Sequence, residues 1–169
     1  VKWTVVTLCR KSDPDRAPKF FKALENFGAE GFMADLDDGP EQTPLDSNQV
    51  QKTIELLLPS NRFDLVITHS PSGEYTRHLR HEETAKAVLE LWKTGRLLFY
   101  ELWTFAYEDN NRKHLPRAIK DADLLVGLNE DTWRNKYDII TGIYGFNKDS
   151  FEAKTTAREE AFWRFKTAR

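Results

Sequence analysis

The sequence predicts an α/β fold: an open, mainly parallel sheet with helices on both faces. Short, β-branched apolar runs alternate with stretches whose apolar residues recur at helical spacing, an order that favours strand–helix–strand crossovers. The apolar runs are nearly continuous rather than alternating, the habit of strands covered on both faces. In such sheets ligands bind beyond the carboxyl ends of the strands. The polar segments that follow the strands are therefore expected on one rim. At 169 residues the chain reads as a single domain, 1–169, long enough to bury a core.

Trp3 to Leu8 (WTVVTL) opens the pattern as a strand and runs into the charged turn Cys9 to Arg16. Pro18 suits the first turn of a helix. Phe20, Phe21, Leu24 and Phe27 follow at helical spacing and are expected in the core, with Gly28 as the stop. Glu30 to Leu36 predicts a weaker strand, broken by Asp37-Asp38-Gly39-Pro40. Asp46 with Gln49 resembles a capping box, and Val50, Ile54, Leu57 and Leu58 form the stripe of the helix that Pro59 closes.

Leu65 to Thr68 predicts the third strand. A helix after His81 carries Ala85, Val88, Leu89 and Trp92 on one face, with Gly95 after its last turn. Arg96 to Trp103 predicts the fourth strand, Thr104 to Leu115 a loop, and Ala122 to Leu128 a fifth strand. Asn129 caps a helix with Trp133, Tyr137, Ile140 and Tyr144 on one face, ended by Gly145. Ala157 to Lys166 predicts a final amphipathic helix bearing Phe162 and Phe165.

A formal charge of −2 argues against a general nucleic-acid binder. One cysteine, Cys9, excludes an intrachain disulfide and a cysteine-based zinc site, and is expected to be a small core residue. No apolar run approaches the ~20 residues of a membrane span. With no signal peptide in view, the expected location is the cytoplasm. The aromatic C-terminal segment or an open sheet edge leaves a homo-oligomer possible.

Chemistry concentrates between Asp64 and Leu91, which hold His69, His78 and His81, three of the four histidines. His78 and His81 share a helix face by their spacing. A hydrolytic zinc site needs about three protein ligands and an open position, where bound water reaches a pKa near ~7. Asp13, Asp15, Asp35, Asp37 and Asp38 are rim carboxylates that can serve such a site. The bland readings are solvated histidines at a helix start, a backbone-bonded His69, and an ordinary turn at Asp37 to Pro40. No Gly-x-Gly-x-x-Gly or Walker sequence supports a nucleotide site.

VVTLCRKSDPDR (5–16), LDDG (36–39), DLVITHSPSGEYTRHLRH (64–81) and LNEDTWRNKYDIITGIYG (128–145) together resemble the LmbE-like, or PIG-L, N-deacetylase family. The resemblance implies a Rossmann-like, three-layer fold and zinc-dependent hydrolysis of an N-acetyl group, usually on a glucosamine derivative, with metal-bound water as nucleophile. It implies His81 as a metal ligand and His78 as the catalytic residue that stabilises the oxyanion or protonates the leaving amine. It implies Arg16, Asp38, His69 and Tyr75 as substrate contacts. The implied cofactor is Zn2+, and the implied partner a small N-acetylated sugar or sugar conjugate.

Two departures accompany the likeness. Leu79-Arg80 stands where the family usually has Pro-Asp between its histidines. The family's Ala-His-Pro-Asp-Asp-Glu motif, with two metal ligands and the general base on its first strand, has no counterpart here. The chain opens at Val1 inside a strand pattern, so a longer natural head carrying that motif is the first expectation. The alternatives are a catalytically incompetent sugar-binding or scaffold protein, or a replacement ligand set such as Asp13, Asp15 and His69.

Overall fold

The computed structural model describes residues 1–74 and 78–166. It is a mixed α/β structure, compatible with a three-layer arrangement, and none of its described helices is long and apolar enough to cross a membrane. Strands β1 (Thr4–Thr7) and β2 (Glu30–Met33) pair in parallel, with Val5 opposite Gly31 and Val6 opposite Phe32. Helix α1 (Arg16–Phe27) connects them. Its start is held by Asp13, whose carboxylate accepts the backbone N–H groups of Asp15 and Arg16, both at 2.9 Å. Gly28 ends it at φ 63, a left-handed conformation that costs glycine little.

Phe20 and Leu24 of α1 bury themselves with Met33. Gly31 permits that approach, because a Cβ there would press on the Leu24 side chain and lie 2.6 Å from the Val5 carbonyl oxygen. Phe21 and Phe27, expected in the same core, stand exposed instead. The helix packs on a two-stranded sheet and against residues 139–143, and these cover one side of its aromatic stripe.

Helix α2 (Ser47–Leu57) is capped as its sequence predicts, with the Asp46 carboxylate accepting the Gln49 N–H at 2.9 Å. Strand β3 (Arg62–Thr68), helix α3 (Leu79–Lys93) and strand β4 (Leu98–Phe105) follow. β3 and β4 pair in parallel, Leu65 opposite Glu101 and Ile67 opposite Trp103. Val50 and Ile54 of α2, Val88 and Leu91 of α3, and Phe99 and Leu102 of β4 make the main core, which Leu8 joins from the end of β1.

The C-terminal third keeps the expected fifth strand and Asn129-capped helix but departs from the expected loop and final helix. β5 (Tyr107–Glu108) lies inside the stretch 104–115 expected to be a loop and pairs antiparallel with β6 (Arg117–Ala118) just beyond it. β7 (Leu124–Gly127) precedes α4 (Glu130–Asp138), whose N-terminus Asn129 caps by accepting the Thr132 N–H at 2.8 Å. A π-helical turn, Ile139–Ile143, continues it, and the short α5 (Phe151–Lys154) follows.

The final segment is not a helix but strand β8 (Glu159–Lys166), inserted antiparallel between β4 and β7. The resulting order is β3-β4-β8-β7, so this sheet has one parallel and two antiparallel pairings. Phe162 and Phe165 fit a helical spacing, but two neighbouring strands offer backbone partners along the whole segment. Sheet pairing of this kind overrides local periodicity. Glu101 lies within β4 and pairs with Arg164 of β8 at 2.8 Å.

Candidate functional site

The carboxyl end of β3 delivers its chain straight into the histidine-rich segment. Thr68 is the last strand residue and is buried, and His69 follows it. The chain then turns through Pro71 and Gly73, the latter at φ 86. That turn brings Glu74 back beneath His69. The Glu74 side chain is only 1% exposed; its Oε1 meets His69 Nδ1, and its Oε2 accepts the Ser70 N–H at 2.7 Å. His78 is the N-cap residue of α3, and His81 lies in its first turn.

These pieces converge. The His69 and His81 rings stack with centroids 3.9 Å apart and 7° between planes, and the His78 ring lies 4.7 Å from His81. His81 Nδ1 sits 3.1 Å from Glu74 Oε1, yet its orientation leaves it without a hydrogen bond. One ligand atom each from His69, Glu74 and His81 falls within 4.8 Å of the others. Burial alone would raise the Glu74 carboxyl; the His69 and His81 imidazoles and the Ser70 N–H outweigh it and hold the pKa at about 2. The group is thus a carboxylate at any ordinary pH.

Two imidazoles and a carboxylate are a donor set that suits zinc. The buried Nδ1 of His81 lies 3.1 Å from Glu74 Oε1 without hydrogen-bonding geometry, so the donor atoms of the trio converge on one place. On both counts the residues present fit the ion that the resemblance implies.

Asp38 forms the other wall. It stands in the loop after β2, 3.7 Å from His78 Nε2 through its Oδ1. Arg10, at φ 67, donates from Nε to Asp38 Oδ2 at 3.0 Å and from Nη1 to Asp13 at 3.3 Å. Burial and the nearby His81 press the His78 pKa below its usual value, against the pull of Asp38. Arg16, the first residue of α1, lays its guanidinium 4.9 Å from the centre of the Phe146 ring.

Expected residues therefore divide. His69, His78, His81 and Asp38 come together. Arg16 is tied to them only through Asp13 and Arg10. Tyr75 lies outside the described residues. Asp13 and Asp15 do not join His69 as a ligand set: Asp13 caps α1, and Asp15 pairs with Lys19 at 2.6 Å. Cys9 is half-buried, and burial followed by the Asp38 charge pushes its thiol up to about 11, so it carries no thiolate for catalysis.

Glu74 is the residue that sequence reasoning passed over. Its signal was faint, a single carboxylate after a Pro-Ser-Gly turn, and only the turn itself returns it to His69. Comparison of the chain with protein-family models, curated proteins and solved structures finds no match in any of the three.

Proposed function

We propose that this chain carries the site of a zinc-dependent hydrolase that removes the N-acetyl group of a glucosamine-type or related amino sugar. The observation that carries the reading is the convergence of His69, Glu74 and His81, with His78 beside them, at the carboxyl end of β3. The motifs at 5–16, 36–39 and 64–81 that resemble the LmbE-like deacetylases surround this cluster, and a Rossmann-like topology is part of the same proposal. The cytoplasm is the proposed compartment, in keeping with a single, unpaired cysteine.

His69, Glu74 and His81 would hold the metal. When bound, zinc supplies a Lewis acid and a hydroxide-like nucleophile near neutral pH. The chain's own part is proton handling and positioning. His78, kept neutral at pH 7 by burial and His81, takes a proton at its unpartnered Nδ1 and returns it to the leaving amine. Asp38, beside Nε2, stabilises the imidazolium that forms in between. Asp38, Arg16 and Tyr75 are the proposed contacts to the sugar; His69, expected among them, is assigned to the metal instead.

One observation favours a second reading, an amino-sugar-binding protein without turnover. Both Glu74 oxygens are engaged, by His69 and by the Ser70 N–H, and no second carboxylate joins the metal group among the described residues. A carboxylate general base is then wanting, and proton transfer would fall to His78 alone. Acetate release from N-acetylglucosamine by the zinc-loaded protein, abolished in His81→Ala, is the expected result. Glucosamine binding that survives chelation, with no acetate released, establishes the second reading. Absence of both zinc binding and sugar binding overturns the two together.

A further inference from the structure

The first turn of α3 faces two ways. His78 and His81 form the site, while Arg80 and Glu83 reach out to the loop that carries Asp38. Arg80 is 5% exposed. Its Nη1 donates to the Glu83 carboxylate and its Nη2 to the Thr43 carbonyl. Glu83 Oε1 in turn accepts the Leu45 N–H at 2.9 Å. Leu45 packs against the main core, so the far end of the loop is anchored twice.

From there the loop returns to Asp38. Gln42, at φ 48, donates its side-chain amide to the Gly39 carbonyl at 2.9 Å and to Asp38 Oδ1 at 3.4 Å. The same Oδ1 lies 3.7 Å from His78 Nε2. A closed circuit results: α3, Arg80 and Glu83, Thr43 and Leu45, Gln42, Asp38, and back to α3 at His78.

Two facts argue that the circuit serves the site rather than stability. A buried ion pair is often replaceable by apolar side chains at no cost in stability, so its presence calls for another reason. Moreover, three buried polar atoms without a hydrogen-bond partner lie on this circuit: Gln42 Oε1, His78 Nδ1 and Arg80 Nε. Native proteins leave few such atoms, so three together call for polar partners that the described residues do not supply.

We propose that Arg80 and Glu83 are positioning residues, which hold the loop so that Asp38 stays against His78 and shapes the polar subsite between loop and helix. The assignment of an amino sugar to that subsite rests on the function proposed above. The clamp itself does not.

The test is the double variant Arg80→Met/Glu83→Leu, which unties the loop without leaving an orphaned charge. Amide exchange of residues 37–45 is expected to rise at least tenfold, while zinc affinity, set by His69, Glu74 and His81, stays within twofold. The ring-nitrogen resonances of His78 are expected to move in the direction that Asp38→Asn moves them. Glucosamine affinity, by calorimetry, is expected to fall about tenfold. Should the double variant not fold, Arg80→Lys keeps the charge and loses the fork, and the same readouts shift the same way by less.

His78 resonances and loop exchange that match the wild type in the variant that folds overturn the proposal. A loosened loop with unchanged His78 resonances overturns it too, leaving Arg80 and Glu83 as structural residues only. If the wild-type protein binds no glucosamine, the amino-sugar reading fails, and exchange and resonances still judge the clamp.

Discussion

His69 and His81 lie with their rings stacked, 3.9 Å between centroids and 7° from parallel, against the same oxygen of Glu74. One follows a strand and the other lies in the first turn of a helix. The carboxylate that joins them is buried and ionised, which makes the trio a concentrated set of donors.

If that trio holds metal, removing any one member should be felt. His81→Ala and Glu74→Gln are each expected to weaken zinc binding at least tenfold, because a catalytic site with about three protein ligands has none to spare. Competition against a chromogenic chelator measures this directly. Equal affinities for wild type and both variants would remove the trio as the site.

A second prediction concerns acid stability. Glu101 accepts the Trp103 indole N–H at 2.8 Å and two contacts from Arg164 at 2.8 and 2.9 Å, and these partners hold its pKa at about 2. A carboxylate with a lowered folded pKa contributes stability that is fully present above its unfolded value, near 4.5, and lost as pH falls towards 2. Glu101→Gln is therefore expected to be less stable than wild type at pH 7 and to close that gap between pH 4.5 and 2. Thermal unfolding followed by tryptophan fluorescence across this range checks it; a gap independent of pH would contradict the assignment.

Gly31→Ala should damage the first parallel pair. The added methyl would press on the Leu24 side chain and on the Val5 backbone oxygen, which cannot swing aside. Overpacking of this kind typically costs about 1–3 kcal/mol. Urea denaturation gives the number, and a neutral result would show that α1 is free to move off β2.

Leu102 of β4 is fully buried in the main core beside residues of α2 and α3. Leu102→Ala is expected to cost about 2–5 kcal/mol through lost transfer energy and the cavity left behind. The loss should appear in the denaturation midpoint with little change in zinc affinity, since the metal trio lies beyond the end of the neighbouring strand. A large change in zinc affinity would show that the core and the site are coupled.

Much of the first half of this fold was legible from local signals. Asp46 with Gln49 announced the start of α2, and Gly28 the end of α1, because caps and left-handed turns depend on residues within a few positions. Placing His69, His78, His81 and Asp38 on a shared rim followed from the strand–helix alternation alone. In the C-terminal third β7 and the Asn129 cap of α4 were legible in the same way, but the final segment was not. Phe162 and Phe165 obey a helical spacing, and nothing near them says that β4 and β7 leave a gap for another strand.

The sequence by itself determined the end of α1, the starts of α2 and α4, the apolar stripe of α2, and which stretch carries the histidines. These depend on neighbours along the chain. Only the tertiary structure decided that Glu74 turns back beneath His69, that Arg80 reaches Thr43, and that β8 is a strand. Each of those is a contact between segments whose spacing in sequence carries no trace of it, chosen because buried charges must find partners and strand edges must find backbone.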